Sequence, residues 1–343
     1  MALISVIIPC YNTEQLIDRC LQSVVNQDIG MDSLEIICVD DASTDGTWKR
    51  LQVWEQRFPD QIALVHLEEN GRQGRARNIG LSYAGGELIA FLDSDDWIEL
   101  DYLSRMYEAY CQYDCELVVC RMARDASDEL TFFEDRSTGK NSSYLVVDST
   151  EKRNHFIIFN SMENSACARL IRRSFLIDNN LFFPEFVAYE DTFWGSLLHL
   201  YTERVFFLEE KLYHYYVNPH STVLASNLDY HTDLLTVQVM LWREWELRGF
   251  LAIYREALEY DYLHTCYFAF IKVLAFRYDQ PSYSLFSLLR GLLKGKLDHL
   301  PHNRFIQEAD LPELYRLLME SLYLPIDPPS FTQLIEGVRR IGI

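Results

Sequence analysis

An α/β architecture followed by an all-helical appendage is predicted by two features of the residue pattern. Up to residue 121, short continuous apolar runs alternate with amphipathic segments. That alternation marks β-α units whose strands are buried on both faces of a mostly parallel, Rossmann-like sheet with flanking helices. Beyond residue 227 the strand signals stop and apolar residues recur at helical spacing, as at Leu234, Val237, Leu241 and Trp245. The length of 343 residues fits about two domains. The expected division is an α/β domain over 1–222, with halves 1–121 and 122–222, and a helical domain over 223–343.

The strands expected in the first half are 3–8, 35–39, 62–66, 87–92 and 117–120, each a short apolar run between turn signals. The helices expected between them are 14–26, 47–58, 74–83 and 100–113. From 122 to 150 the pattern breaks into polar stretches, 124–129 and 136–143, which read as an excursion or hairpin. A mixed region from 151 closes with two aromatic strands, 205–208 and 212–217. In sheets of this kind ligands bind outside the carboxyl ends of the strands.

Composition excludes several classes. The chain is 49% hydrophobic and 14% aromatic, so it is neither disordered nor low-complexity. Lys plus Arg is 31 against 51 Asp plus Glu, a net charge of −20, which argues against nucleic acid as a partner. No basic region precedes the first apolar run, so a secretory signal is not expected. The most apolar long stretch, 262–276, contains His264 and Lys272 and falls short of the roughly 20 residues a bilayer span needs. The eight cysteines include no CxxC pair. They are expected to be buried, reduced thiols of a cytoplasmic protein, and the spacing of Cys111, Cys115 and Cys120 suits no common zinc pattern.

The chemistry is expected at three strand ends. The first ends in Pro9-Cys10-Tyr11-Asn12, the second in Asp40-Asp41-Ala42-Ser43-Thr44-Asp45-Gly46, and the fourth in Asp93-Ser94-Asp95-Asp96. Residues two apart in an extended segment share a face, so Asp93 and Asp95 converge while Ser94 turns away. Two converging carboxylates favour a hard divalent cation with open positions for phosphate oxygens; helix capping by acidic residues is the alternative. Asp45 suits an N-cap, leaving Asp41 to accept from the imide N–H of a uracil, with Tyr11 stacking on the base. The segment 70–78, with two glycines and three arginines, is either an anion site at a helix start or a solvated loop. It is not a Walker loop. Asp-Gly-Thr at 45–47 lacks the aspartate pair that a phosphatase needs.

Taken together, these motifs and Ala76-Arg77-Asn78 resemble family 2 of the inverting nucleotide-sugar glycosyltransferases over about the first 220 residues. The resemblance implies the GT-A fold, a divalent metal (Mn2+ or Mg2+), and a nucleotide-sugar donor, most often a UDP-sugar. It implies donor contacts from Pro9, Tyr11, Asp41, Asn70, Arg77, Asp93 and Ser94. Asp95 becomes the direct metal ligand, with Asp93 touching ribose or metal. Tyr189-Glu190-Asp191-Thr192-Phe193-Trp194 resembles the family's Glu-Asp motif, which places Glu190 in the donor site and makes Asp191 the catalytic base. Acidic residues opening a helix also favour its dipole regardless of function. An ordinary aspartate, near about 3.9, is a weak base, so closure of the site around its substrates is expected to raise Asp191. Residues 167–173 and 182–184 fit the bacterial surface-polysaccharide branch, with a glycan or lipid-linked acceptor.

One departure is visible. Relatives commonly carry a basic residue after the last strand as a diphosphate clamp, whereas the run here is Tyr213-His214-Tyr215-Tyr216-Val217-Asn218-Pro219-His220-Ser221-Thr222. His220 or Ser221 is the candidate substitute, and His220 a candidate further metal ligand. Residues 262–304 carry six basic and two acidic side chains. That reversal fits either contact with the inner face of the membrane or a lipid-pyrophosphate acceptor, or a packed bundle with a basic rim or homo-oligomer interface. A non-catalytic nucleotide-sugar-binding scaffold is the rival reading of the whole chain. A sugar-phosphate nucleotidyltransferase would need a glycine-rich basic loop where Pro9-Cys10-Tyr11-Asn12 stands.

Overall fold

The computed structural model describes residues 2–159, 162–218 and 226–341. Two compact units are present, Met1–Asp148 with Met162–Asn218, and Ser149–Ser161 with Pro219–Ile343. The chain is therefore cut three times, where the sequence suggested a single cut near residue 222.

In the first unit β1 (Ile4–Cys10), α1 (Ile17–Val25), β2 (Leu34–Asp40), α2 (Thr47–Arg57), β3 (Ile62–His66), α3 (Arg72–Tyr83) and β4 (Leu88–Phe91) alternate. Every residue of β1 and β4 is buried, as expected for strands covered on both faces. There follow β5 (Trp97–Ile98), α4 (Tyr102–Gln112), β6 (Leu117–Asp125), β7 (Ser143–Val146), then α5 (Thr150–Ile158), which belongs to the second unit. The first unit resumes with β8 (Arg169–Arg172), α6 (Arg173–Asp178), α7 (Glu190–Tyr201) and β9 (Arg204–Tyr216).

The strands form one sheet in the order β3-β2-β1-β4-β8-β6-β9-β5, with β7 also paired to β9. From β3 to β4 the strands are parallel; β8 then runs antiparallel to both β4 and β6. The register sets Cys10 beside Asp40 and Ile7 beside Phe91, so the turns after β1, β2 and β4 open on one edge. Residues 204–216 are one strand, where the sequence suggested two. The interruption, Glu209-Glu210-Lys211, is accommodated because Glu209 pairs with Arg121 of β6 and Glu210 with Arg105 of α4.

The second unit contains α5, α8 (Asp233–Leu247), α9 (Phe250–Tyr262), a π-helical segment Leu263–Phe268, α10 (Ala269–Phe276), α11 (Tyr283–Leu293), α12 (Arg304–Glu308), α13 (Glu313–Glu320) and α14 (Pro328–Ile341). Leu234, Val237, Leu241 and Trp245 are buried on α8, the face the spacing predicted. Several of the basic residues in 262–304 have internal partners. Arg290 donates to the Leu322 and Leu324 carbonyls, Arg304 pairs with Glu151 and Glu256, and Lys272 and Lys296 lie over the Tyr315 and Trp242 rings. Among the described residues no helix is long and apolar enough to cross a membrane. All eight cysteines are unpaired; Cys111 is exposed and the other seven are buried.

Candidate active site

The strand-end turns are tied to one another before any ligand is considered. Asn12, in the left-handed region at φ 52°, accepts from the Thr44 amide and donates its own amide to Ser43 Oγ. Thr13 donates its amide to Thr47 Oγ1. Asp45 Oδ1 accepts from the Thr47 amide at 2.9 Å, but the N-cap of α2 is Gly46, so Asp45 binds from one position ahead of the cap and not from the cap position the sequence suggested. Pro9 is buried within β1 opposite Val39, whereas Tyr11 just beyond is 47% exposed. Its ring is available to a ligand.

Asp41 is buried, and its Oδ1 accepts from the Gly71 amide at 2.8 Å while its carbonyl accepts from Asn70 Nδ2 at 3.1 Å. Burial raises its carboxyl above the usual range, against the lowering effect of amides from Gly71 and Arg72. Asp41 thus fixes the entrance to α3, and Asn70 stands exposed beside it. The arginine-rich loop is pinned to the second strand end.

Two glycines bring α3 close enough to matter. A Cβ at Gly80 would lie 2.3 Å from Ile7 Cγ2, and one at Gly74 would lie 2.2 Å from the Pro184 carbonyl oxygen. The helix therefore packs directly on β1 and against the segment leading to α7. This approach delivers Arg77, 3% exposed, between two acidic motifs far apart in sequence. Its Nη1 donates to Glu190 Oε1 at 2.5 Å; its Nη2 donates to Asp93 Oδ1 at 2.7 Å and Gln73 Oε1 at 3.2 Å. The two carboxylates push the guanidinium pKa still higher against the opposing effect of burial. Both terminal nitrogens of Arg77 thereby donate to protein groups, Glu190 from one and Asp93 and Gln73 from the other.

The acidic turn is held rigidly from behind. Asp96 is 1% exposed; its Oδ2 accepts from Tyr213 Oη at 2.6 Å and its Oδ1 from the Tyr216 amide at 2.8 Å. Tyr213 Oη also accepts from the Asp93 amide at 3.3 Å. Ser94 is buried, while Asp93 and Asp95 are half-buried. Burial and the Asp93 charge push Asp95 up to about 6. A carboxyl so placed gains from any added positive charge.

Tyr189, at φ 62°, turns the chain into α7, and Glu190 and Asp191 are its first two residues. Asp191 Oδ1 accepts from the Thr192 amide at 2.8 Å. Burial first and the Glu190 charge second push its carboxyl up to about 7, with Arg77 opposing. Among the described residues no cluster of three or more His, Cys, Asp or Glu is arranged to hold a metal. His220 and Ser221 lie outside the described residues.

Several participants carry no signal in the sequence reading. Asp96 and Tyr213 are two; His214 is another. Fully buried, its ring meets Asp125 Oδ2 and Glu99 Oε1, each at 2.9 Å. It is stacked with Phe133 at 3.7 Å and Trp97 at 4.8 Å. The aromatic run ending β9 and the third acidic residue after β4 were the only available hints.

Residues 5–179 match the family described as Glycosyl transferase family 2. The chain belongs to that family. As a family 2 member it is 32% identical over 226 residues to the putative glycosyltransferase EpsH of Bacillus subtilis, covering 64% of this chain and 62% of EpsH. It is 28% identical over 213 residues to the Staphylococcus aureus poly(ribitol-phosphate) beta-N-acetylglucosaminyltransferase TarS, covering 62% of this chain and 35% of TarS. The match thus spans less than two thirds of either relative. Among solved structures, S. aureus TarS 1–349 in complex with UDP-GlcNAc superposes with a TM-score of 0.69 at 19% identity, over 99% of this chain and 92% of that one. The mannosyltransferase PcManGT of Pyrobaculum calidifontis, in complex with GDP-Man and Mn2+, gives 0.52 at 18% identity, over 98% and 86%. These likenesses establish the GT-A fold for this family 2 chain.

Proposed function

We propose that the chain transfers a sugar from a nucleotide-sugar, with UDP-sugars the first candidates, to a hydroxyl of a glycan or lipid-linked acceptor in bacterial cell-surface polysaccharide synthesis, inverting the anomeric centre. The observation that carries the reading is Arg77, which joins Asp93 to Glu190, the neighbour of Asp191. One buried guanidinium gathers the acidic turn and a carboxyl near neutral pKa into one site. A general base poised near the working pH is the most effective kind.

In this reading Tyr11 and Asp41 face the base, aided by Pro9 and Asn70, and Asp93, Ser94 and Glu190 complete the donor site. Asp191 receives the proton of the acceptor hydroxyl on the face opposite the leaving nucleotide. Arg77 acts by fixing Glu190 and Asp93 and by supplying positive field. Asp95, at about 6, and Asp93 suit a hard divalent cation, which takes one or two carboxylates and leaves its other positions to phosphate and water. When bound there, such a cation, Mn2+ or Mg2+, would supply Lewis-acid stabilisation to the departing nucleoside diphosphate. Support for this use comes from the PcManGT complex, which contains Mn2+.

The test is release of nucleoside diphosphate from a panel of UDP- and GDP-sugars with Mn2+, with and without a ribitol-phosphate or glycan acceptor. Acceptor-stimulated release, lost in Asp191→Asn, supports transfer. Binding with no release from any donor would instead support a non-catalytic scaffold.

A further inference from the structure

We infer that Arg19, on α1, is a positioning residue that sets the main-chain position of Asp95 and clamps the 125–128 segment onto the acidic turn. The inference rests on the donor-site reading above. Arg19 is 7% exposed. Its Nη2 donates to the Asp95 carbonyl at 2.8 Å and its Nη1 to the Ser127 carbonyl at 2.6 Å. Its guanidinium carbon lies 3.9 Å from the Trp97 ring centroid and 4.4 Å from that of Tyr216. The next residue of α1, Cys20, donates its thiol to the Asp93 carbonyl at 3.6 Å. Successive side chains of one helix thus hold the carbonyls of Asp93 and Asp95.

Burying a guanidinium is unfavourable unless its donors are met. Here two carbonyls and two aromatic faces offset that cost, while Nε remains buried without a partner. A leucine or methionine would fill the space with less desolvation. Neither would join two separate segments through a rigid fork, nor place a positive charge beside Asp95. The far side of the clamp is itself tied down. Asp125 Oδ1 accepts from the Ser127 amide at 2.8 Å, and Tyr216 Oη donates to Asp128 Oδ1 at 2.6 Å. Since Tyr216 also donates its amide to Asp96, Arg19 closes a loop of contacts around the turn. Releasing it frees Asp95 to move without disturbing Tyr11 or Asp41 at the neighbouring strand ends.

Calorimetric titration of UDP and GDP in Mn2+, each beside its nucleoside alone, tests this on wild type, Arg19→Met and Arg19→Lys. Loss of a residue that orients a metal ligand weakens metal-linked binding by about 10- to 100-fold. Arg19→Met is expected to weaken the diphosphate by that factor and leave the nucleoside unchanged, with Arg19→Lys intermediate. Should Arg19→Met not fold, Arg19→Lys carries the test, with a loss for the diphosphate alone expected. Diphosphate affinity equal to wild type overturns the inference, as does equal loss of diphosphate and nucleoside, which marks a role in general stability. A wild-type chain that binds neither diphosphate refutes the donor-site reading itself.

Discussion

Asp191→Asn is expected to make the protein more stable and nearly inactive at the same time. The Asp191 carboxyl is held at about 7 against an ordinary 3.8. The folded chain therefore keeps a proton that the unfolded chain has already released between those values. The stabilisation is fully present below the unfolded value and is lost as pH rises through the folded one. At about 1.4 kcal/mol per pH unit the ceiling is about 4 kcal/mol at pH 8. Local relaxation and the shared charge with Glu190 reduce this, and about 2 kcal/mol is expected, or a Tm about 4–8 °C above wild type. Asparagine does not ionise, so the gain should vanish by pH 4. Turnover should meanwhile fall by about a hundredfold or more, the scale of a positioned general base. In the wild type, kcat should rise with pH about a midpoint near 7. Scanning calorimetry and initial rates from pH 4 to 8 measure both. An acid limb near pH 4, or a variant less stable than wild type at pH 8, would show that Asp191 is not the group that titrates near 7.

Arg77→Met should cost about 3–5 kcal/mol in urea denaturation, because it leaves two clustered carboxylates without their buried counter-charge. Gly74→Ala puts a Cβ 2.2 Å from the Pro184 carbonyl; it should cost about 1–3 kcal/mol and reduce turnover by moving α3 away from α7, both measurable on the purified variant. Asp95→Asn should abolish the Mn2+ dependence of UDP affinity. In wild type that dependence should weaken as pH falls below about 6, where protonation of Asp95 competes with the cation.

The first four strands were legible because each is a short apolar run; β1, β2 and β4 are buried almost throughout, and the edge strand β3 only in part. So was the carboxyl edge, because the turn residues follow those runs directly. The strands β5, β7 and β8, two to four residues each, were not legible, since only their neighbours in the sheet make them strands. Likewise nothing local marks α5 as part of the helical unit. In the proposed site, Asp93 and Asp95 stand out by their spacing, and Asp191 only through the resemblance of its motif. The partner of Arg77 does not: Glu190 is 113 positions away, and the contact depends on Gly74 admitting the chain at Pro184. Arg19 was equally silent, because a lone arginine on a helix gives no sign that it will be buried. Local pattern shows which residues carry chemistry, whereas long-range packing decides which carboxylates share an arginine.

The most direct measurement is a crystal structure of the chain with a nucleotide-sugar and Mn2+. The account predicts the base beside Tyr11 and Asp41, the diphosphate and cation at Asp93 and Asp95, and the sugar facing Asp191. Donor bound elsewhere, or this cleft closed to it, would contradict the account.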